Sequence, residues 1–207
     1  MFHNFFAEEV PDALLRYAAS NESRFYETGI KARLTHDTSI RKSLAIRDLG
    51  PFRDRFEESY RALLPRLIAS LSVGRFILST LVLELVAHCD GAFYRRHIDT
   101  FTGEDAPGPG YRQRVISGVY YFHSQPKRFS GGELYLYPLA ADASEFVAIQ
   151  PEHNSLVVFP SWAAHEVRPV SCPSGQFADS RFAVNCWFCR ETPAVTQNSP
   201  SADPAPA

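Results

Sequence analysis

Cysteine is scarce in this chain, with four in 207 residues. A small secreted domain stapled by disulfides carries more of them, so the thiols point to a reducing compartment, the cytoplasm. Long apolar runs are also missing. The most apolar stretch, residues 76–87, is too short to span a bilayer and contains Glu84. The first nine residues (MFHNFFAEE) lack the basic start and apolar run of a secretion leader. Neither sign of charge dominates: 21 Lys and Arg against 23 Asp and Glu give a formal charge of −2. That balance gives no electrostatic case for nucleic acid or an anionic membrane as a partner.

What remains is an ordinary globular composition, 45% apolar, with 16 Phe and 9 Tyr that suit a β-rich core. Val10, Leu14, Leu15 and Ala18 follow helical spacing over residues 8–19, with Pro11 fitting the first turn. A second helix starts near Pro51 and carries Phe52, Phe56, Tyr60, Leu63, Leu64, Leu67 and Leu71 as its apolar stripe; Pro65 should kink or split it. Beyond Gly74 the chain changes character. Short extended segments are expected at residues 76–87, 92–99, 114–123, 133–137, 146–149, 155–159, 165–170 and 181–190, after an earlier one at 43–47. Residues 88–91 read as a turn, with Gly91 available for positive φ. The Gly- and Pro-rich residues 100–113 read as a loop able to cover a site. Many short strands separated by turns and preceded by helices predict a mainly β domain with supporting α-helices, built on a double-stranded β-helix, or jelly roll. The expected organisation is one domain over residues 1–190, with 1–74 as mainly helical support and 75–190 as the jelly-roll core. Residues 191–207 are poor in core formers and read as a disordered tail.

The chemistry centres on Tyr94-Arg95-Arg96-His97-Ile98-Asp99. On a strand, residues i and i+2 share a face, so His97 and Asp99 project side by side. Adding His165 from a later strand gives two imidazoles and a carboxylate, a set that occupies one face of an octahedral Fe(II) and leaves three positions open. Arg181 opens an apolar strand, where burying a cation is costly without a partner. A ligand carboxylate would supply one, held by the planar guanidinium fork. A metal triad with one such anchor is what a 2-oxoglutarate-dependent oxygenase needs. The other candidates are weaker. Cys186 and Cys189 form a CxxC, but a spacing of three on a strand puts them on opposite faces. His36, His88, His123 and His153 read as solvated or structural, and His88 with Asp90 as a turn rather than a second ligand pair.

The region from about residue 85 to 188 resembles the catalytic domain of the prolyl 4-hydroxylase-like 2-oxoglutarate and Fe(II) oxygenases. The matching motifs are Tyr94-x-x-His97-x-Asp99, RVISGVYYF from Arg114, SGGELYLYP from Ser130, LVVFP from Leu156, His165-Glu-Val and RFAVNCW from Arg181. The resemblance implies Fe(II), 2-oxoglutarate and O2 as cofactor and cosubstrates, with ascorbate as reductant by family habit alone. It makes His97, Asp99 and His165 the iron ligands. Arg181 and Tyr121 become the partners of the distal carboxylate of 2-oxoglutarate, and Leu134 and Trp187 pocket residues. Asn185 shares a strand face with Arg181 and Trp187, which puts it near cosubstrate or substrate. Asp99 argues against the halogenating relatives, which carry a small residue there. Residues 169–180 form an insert, expected as an extra loop near the mouth. Three readings follow: an oxygenase for a small molecule or an amino-acid or peptide substrate, a prolyl hydroxylase acting on a protein, and a silent domain of the same fold. The intact triad and Arg181 favour the first two.

Overall fold

The structure, a computed structural model, describes residues 1–28, 37–100, 111–139 and 145–191. Residues 101–110 of the expected loop, His36 and residues 192–207 of the expected tail lie outside the described residues. Fourteen strands and two α-helices follow one another in the described chain. Strand β1 is Phe2–His3, helix α1 Glu9–Ser20, β2 Tyr26–Glu27, β3 Arg41–Lys42, β4 Leu44–Ile46 and helix α2 Arg53–Leu71. The C-terminal part supplies β5 (Thr80–His88), β6 (Phe93–His97), β7 (Arg112–Phe122), β8 (Ser130–Gly131), β9 (Leu134–Leu136) and β10 (Val147–Ile149). It continues with β11 (Ser155–Pro160), β12 (His165–Val167), β13 (Val170–Ser171) and β14 (Arg181–Glu191).

These strands form a seven-stranded sheet in the order β1-β11-β7-β14-β5-β4-β2 and a five-stranded sheet in the order β10-β9-β12-β6-β3; β8 and β13 pair separately. All pairings are antiparallel, giving the expected jelly roll. The N-terminal part is more than helical support, since β1, β2 and β4 extend the large sheet and β3 edges the small one.

Strand alternation divides the large sheet into two faces. On β14, Phe182, Val184, Cys186 and Phe188 join Leu81, Leu83 and Leu85 of β5 and Phe56, Tyr60 and Leu67 of α2 in the main core. Each such side chain, once fully buried, contributes roughly 1.5–3 kcal/mol of transfer free energy. The residues between them, Arg181, Asn185 and Trp187, turn the other way and line a cavity with Tyr121 of β7 and Leu134 of the small sheet. The burial of the helices against one face thus commits the other face to the cavity.

Two expectations change. Helix α2 runs through Pro65 as one helix. Pro65 sits on the exposed side, where water can meet the carbonyl that loses its amide partner. Strand β5 begins at Thr80 and extends to His88, because β14 pairs with it residue for residue as far as Arg181 opposite His88. The turn follows at Asp90 and Gly91, whose φ is +68°. Residues 169–180 are largely irregular, as expected of a loop, but anchored: Val170 and Cys172 are buried with Phe129, and Phe177 packs on Phe25 and Phe182.

Candidate active site

His97 ends β6 and stands directly opposite His165, the first residue of β12. Asp99 lies two residues beyond the end of β6. Its placement comes from its amide, which donates to the Ser161 carbonyl at 2.9 Å, rather than from strand pairing. The three side chains bring their ligand atoms within 4.8 Å of one another, the one such group of His, Cys, Asp or Glu among the described residues. His97 Nε2 is 3.8 Å from Asp99 Oδ1, and His165 Nε2 is 3.7 Å from Asp99 Oδ2.

The tautomers suit a cation. His97 Nδ1 lies 2.8 Å from the Arg95 carbonyl and His165 Nδ1 2.9 Å from the Ala163 carbonyl. A carbonyl only accepts, so each Nδ1 carries the proton and each Nε2 turns a bare lone pair to the cluster. Burial, then the neighbouring His165, pushes the His97 pKa down to about 3, which keeps the ring neutral. For Asp99, burial works upward, while the Arg114 guanidinium 3.7 Å from Oδ1 and the Ser117 hydroxyl that donates to Oδ2 favour the carboxylate form. Two imidazoles and one carboxylate are the donor set that Fe(II) takes.

A shell of contacts fixes these ligands. Ser117 Oγ and Trp187 Nε1 both donate to Asp99 Oδ2, at 2.6 and 2.8 Å. Tyr94 stacks on the His97 ring at 3.5 Å, and the Arg41 guanidinium lies 4.7 Å over Tyr94. Phe159 packs edge-on against His165.

The same cavity contains Arg181, which is 1% exposed. Its Nε donates to the Gly132 carbonyl at 2.8 Å, and its Nη1 to His88 Nδ1 at 3.1 Å. Both partners are neutral. The guanidinium lies 4.8 Å over the ring of Tyr121, whose buried hydroxyl has no hydrogen-bond partner in the structure. Gly132 makes this position possible: at φ +73°, an added Cβ would sit 2.6 Å from Arg181 Cδ. A buried guanidinium held by neutral groups beside an orphaned phenol is a fitting place for a carboxylate.

All eight residues singled out in the sequence line this one cavity: His97, Asp99, Tyr121, Leu134, His165, Arg181, Asn185 and Trp187. Ser117, Arg41 and His88 are additional. Ser117 was legible as the cavity-facing neighbour of Tyr121 on β7. His88 was not, because the run from His88 to Gly91 reads as a turn. Asp90 takes no part: its carboxylate accepts the Cys172 amide at 2.8 Å. All four cysteines are free.

The model of the 2OG-Fe(II) oxygenase superfamily matches residues 83–189. This chain belongs to that superfamily. An uncharacterised PKHD-type hydroxylase of Synechocystis is 40% identical over 137 residues, covering 63% of this chain and 43% of the relative. The chain therefore spans less than half the length of the curated relative it matches. Among solved structures, a Pseudomonas putida prolyl-4-hydroxylase superposes with a TM-score of 0.66 at 24% identity, covering 92% of this chain and 91% of that one. A Trichoplax adhaerens prolyl hydroxylase, solved with a hypoxia inducible factor peptide, gives 0.68 at 22% identity, covering 91% and 81%. At these identities the likeness is one of fold, and that fold is the jelly roll of the 2OG-Fe(II) oxygenases.

Proposed function

We propose that residues 1–190 act as one oxygenase domain that hydroxylates an unactivated C–H bond of a small molecule or an amino-acid or peptide substrate. The observation that carries this reading is the convergence of His97, Asp99 and His165 in the same cavity as buried Arg181. His97 Nε2, His165 Nε2 and Asp99 would hold Fe(II). Arg181, with the Tyr121 hydroxyl, would receive the distal carboxylate of 2-oxoglutarate. Bound Fe(II) with 2-oxoglutarate and O2 supplies the oxidising chemistry, releasing succinate and CO2 and delivering one oxygen to the substrate.

The chain's own residues orient and exclude. The Arg95 and Ala163 carbonyls fix the ring tautomers, and Ser117 and Trp187 fix the plane of the Asp99 carboxylate. Leu134, Phe159 and Val167 wall the cavity with apolar surface and keep water from the reacting centre. Asn185 and Trp187, on the same strand face as Arg181, line the route between the anchor and the metal ligands. No helix among the described residues is long and apolar enough to cross a membrane. Four free cysteines support a cytoplasmic setting.

Succinate release from 2-oxoglutarate tests the activity. Wild-type protein with Fe(II) releases succinate, stimulated by a true substrate, while His97→Ala and Asp99→Ala release none. Equal turnover in wild type and His97→Ala contradicts the metal assignment.

A further inference from the structure

The cavity holds three histidines, and His88 carries its proton on the opposite nitrogen from the other two. His97 and His165 donate through Nδ1 to backbone carbonyls and present a bare Nε2. At His88, Arg181 Nη1 stands 3.1 Å from Nδ1. A guanidinium has only donors, so Nδ1 of His88 must be the accepting nitrogen and the ring proton sits on Nε2. Burial first, then the charges of Arg181 and Arg41, drives the His88 pKa well below its ordinary value, so the ring is neutral. That Nε2 is buried and has no hydrogen-bond partner. The Tyr121 hydroxyl beside Arg181 is in the same condition. A buried donor left unanswered is costly, and native proteins leave few of them. Two buried donors without acceptors beside one buried guanidinium make a site suited to an anion.

We propose that His88 is a binding residue for the distal carboxylate of 2-oxoglutarate, donating through Nε2–H in a tautomer that Arg181 enforces. This role rests on the assignment of Arg181 to that carboxylate made above. His88 belongs to that end of the cavity because it is the cross-strand partner of Arg181 and is bonded to it directly. The donors also suffice. Arg181 uses one N–H on the Gly132 carbonyl and one on His88, leaving three of its five. Those three, with Tyr121 Oη–H and His88 Nε2–H, are more than enough to meet the roughly four lone-pair sites of a carboxylate. The bond between Arg181 and His88 therefore works in both directions: the ring steadies the guanidinium, and the guanidinium sets which ring nitrogen faces the ligand.

The test compares two acids on Fe(II)-loaded protein under argon by calorimetry. 2-Oxoglutarate carries the distal carboxylate, and 2-oxovalerate has the same chain length with a methyl group there. His88→Phe keeps the ring volume without the donor, and His88→Gln offers an acceptor and a donor on one amide. The expected result is that His88→Phe weakens 2-oxoglutarate binding about 10- to 100-fold, the worth of one hydrogen bond to a charged group. Binding of 2-oxovalerate stays unchanged, and His88→Gln recovers most of the loss. A loss shared equally by both acids, or seen with neither, overturns the role of His88 while leaving that of Arg181 standing. Wild-type protein that does not distinguish the two acids overturns the assignment of Arg181 and this proposal with it. If His88→Phe does not fold, 15N-histidine spectra of Zn(II)-loaded wild type decide. The Nε2–H resonance of a neutral His88 shifts with 2-oxoglutarate and not with 2-oxovalerate. A proton on Nδ1, or indifference to the diacid, contradicts the proposal.

Discussion

Trp187 and Ser117 face each other across β14 and β7, and both donate to the same oxygen of Asp99. Together they fill the lone pairs of Oδ2 and fix the carboxylate plane, while Oδ1 lies 3.8 Å from His97 Nε2 and 3.7 Å from the Arg114 guanidinium. Trp187→Phe and Ser117→Ala each remove one donor without touching a metal ligand. Each should lower Fe(II) affinity about 10- to 100-fold, the usual effect of losing such a supporting bond. Anaerobic metal titration reads this directly. Unchanged affinity in the double variant would show that the carboxylate needs no such support.

Gly132 should resist substitution for a reason that Gly175 does not share. Both have positive φ, +73° and +65°, so alanine at either costs roughly 1–2 kcal/mol in backbone strain. At Gly132 the new methyl also meets Arg181 Cδ at 2.6 Å and Val170 Cγ2 at 2.9 Å, whereas nothing lies within 4 Å at Gly175. Gly132→Ala should lower both Tm and 2-oxoglutarate affinity, and Gly175→Ala Tm alone. Equal cosubstrate affinity in the two variants contradicts the packing described for Arg181.

Two buried tyrosine hydroxyls lack partners, and they should respond differently. Tyr60 Oη lies in the main core among Phe56, Phe5 and Phe188. Removing it with Tyr60→Phe relieves a desolvated group, so stability should hold or rise by about 1 kcal/mol in urea unfolding. Tyr121 Oη lies in the cavity beside Arg181. Tyr121→Phe should cost about tenfold in 2-oxoglutarate affinity, the worth of one charge-assisted bond. A loss of stability in Tyr60→Phe that matches a core cavity would contradict the first expectation.

Acid should weaken the fold partly through His123. Burial lowers its pKa from 6.5 to about 4, and its Nδ1 lies 2.9 Å from the Ser124 carbonyl. The unfolded chain therefore takes up this proton before the folded one. The contribution is fully present above pH 6.5 and is lost as pH falls toward about 4. His123→Asn keeps a donor near the Nδ1 position and removes the titration. Stability measured by denaturant across that window should then fall less steeply with acid, by about one proton. An unchanged slope would place the acid sensitivity elsewhere.

Much of the site was legible because it follows strand alternation. Arg181, Asn185 and Trp187 share a face by their spacing alone, and the apolar residues between them bury the opposite face against α2. The triad was legible from residue type and order, although Asp99 is placed by the Ser161 carbonyl rather than by continuing β6. His88 was hidden by local composition: the following Cys89, Asp90 and Gly91 suggest a turn, and only the length of β14 carries β5 on to His88. Residues 169–180 do form an irregular segment, but its anchoring was hidden for a similar reason. Their polar, Gly- and Pro-containing sequence suggests a surface loop, while the pairing of β13 with β8 brings Val170 down on Gly132. In each case a long-range pairing overrode a local pattern.

The most direct test of the central claim is anaerobic titration of the metal-free protein with Fe(II) and 2-oxoglutarate, followed by the visible metal-to-ligand charge-transfer band. Wild type should develop the band, His97→Ala should not, and Arg181→Ala should need far more 2-oxoglutarate to reach it. A wild-type protein that binds Fe(II) yet shows no band at saturating 2-oxoglutarate would contradict the account.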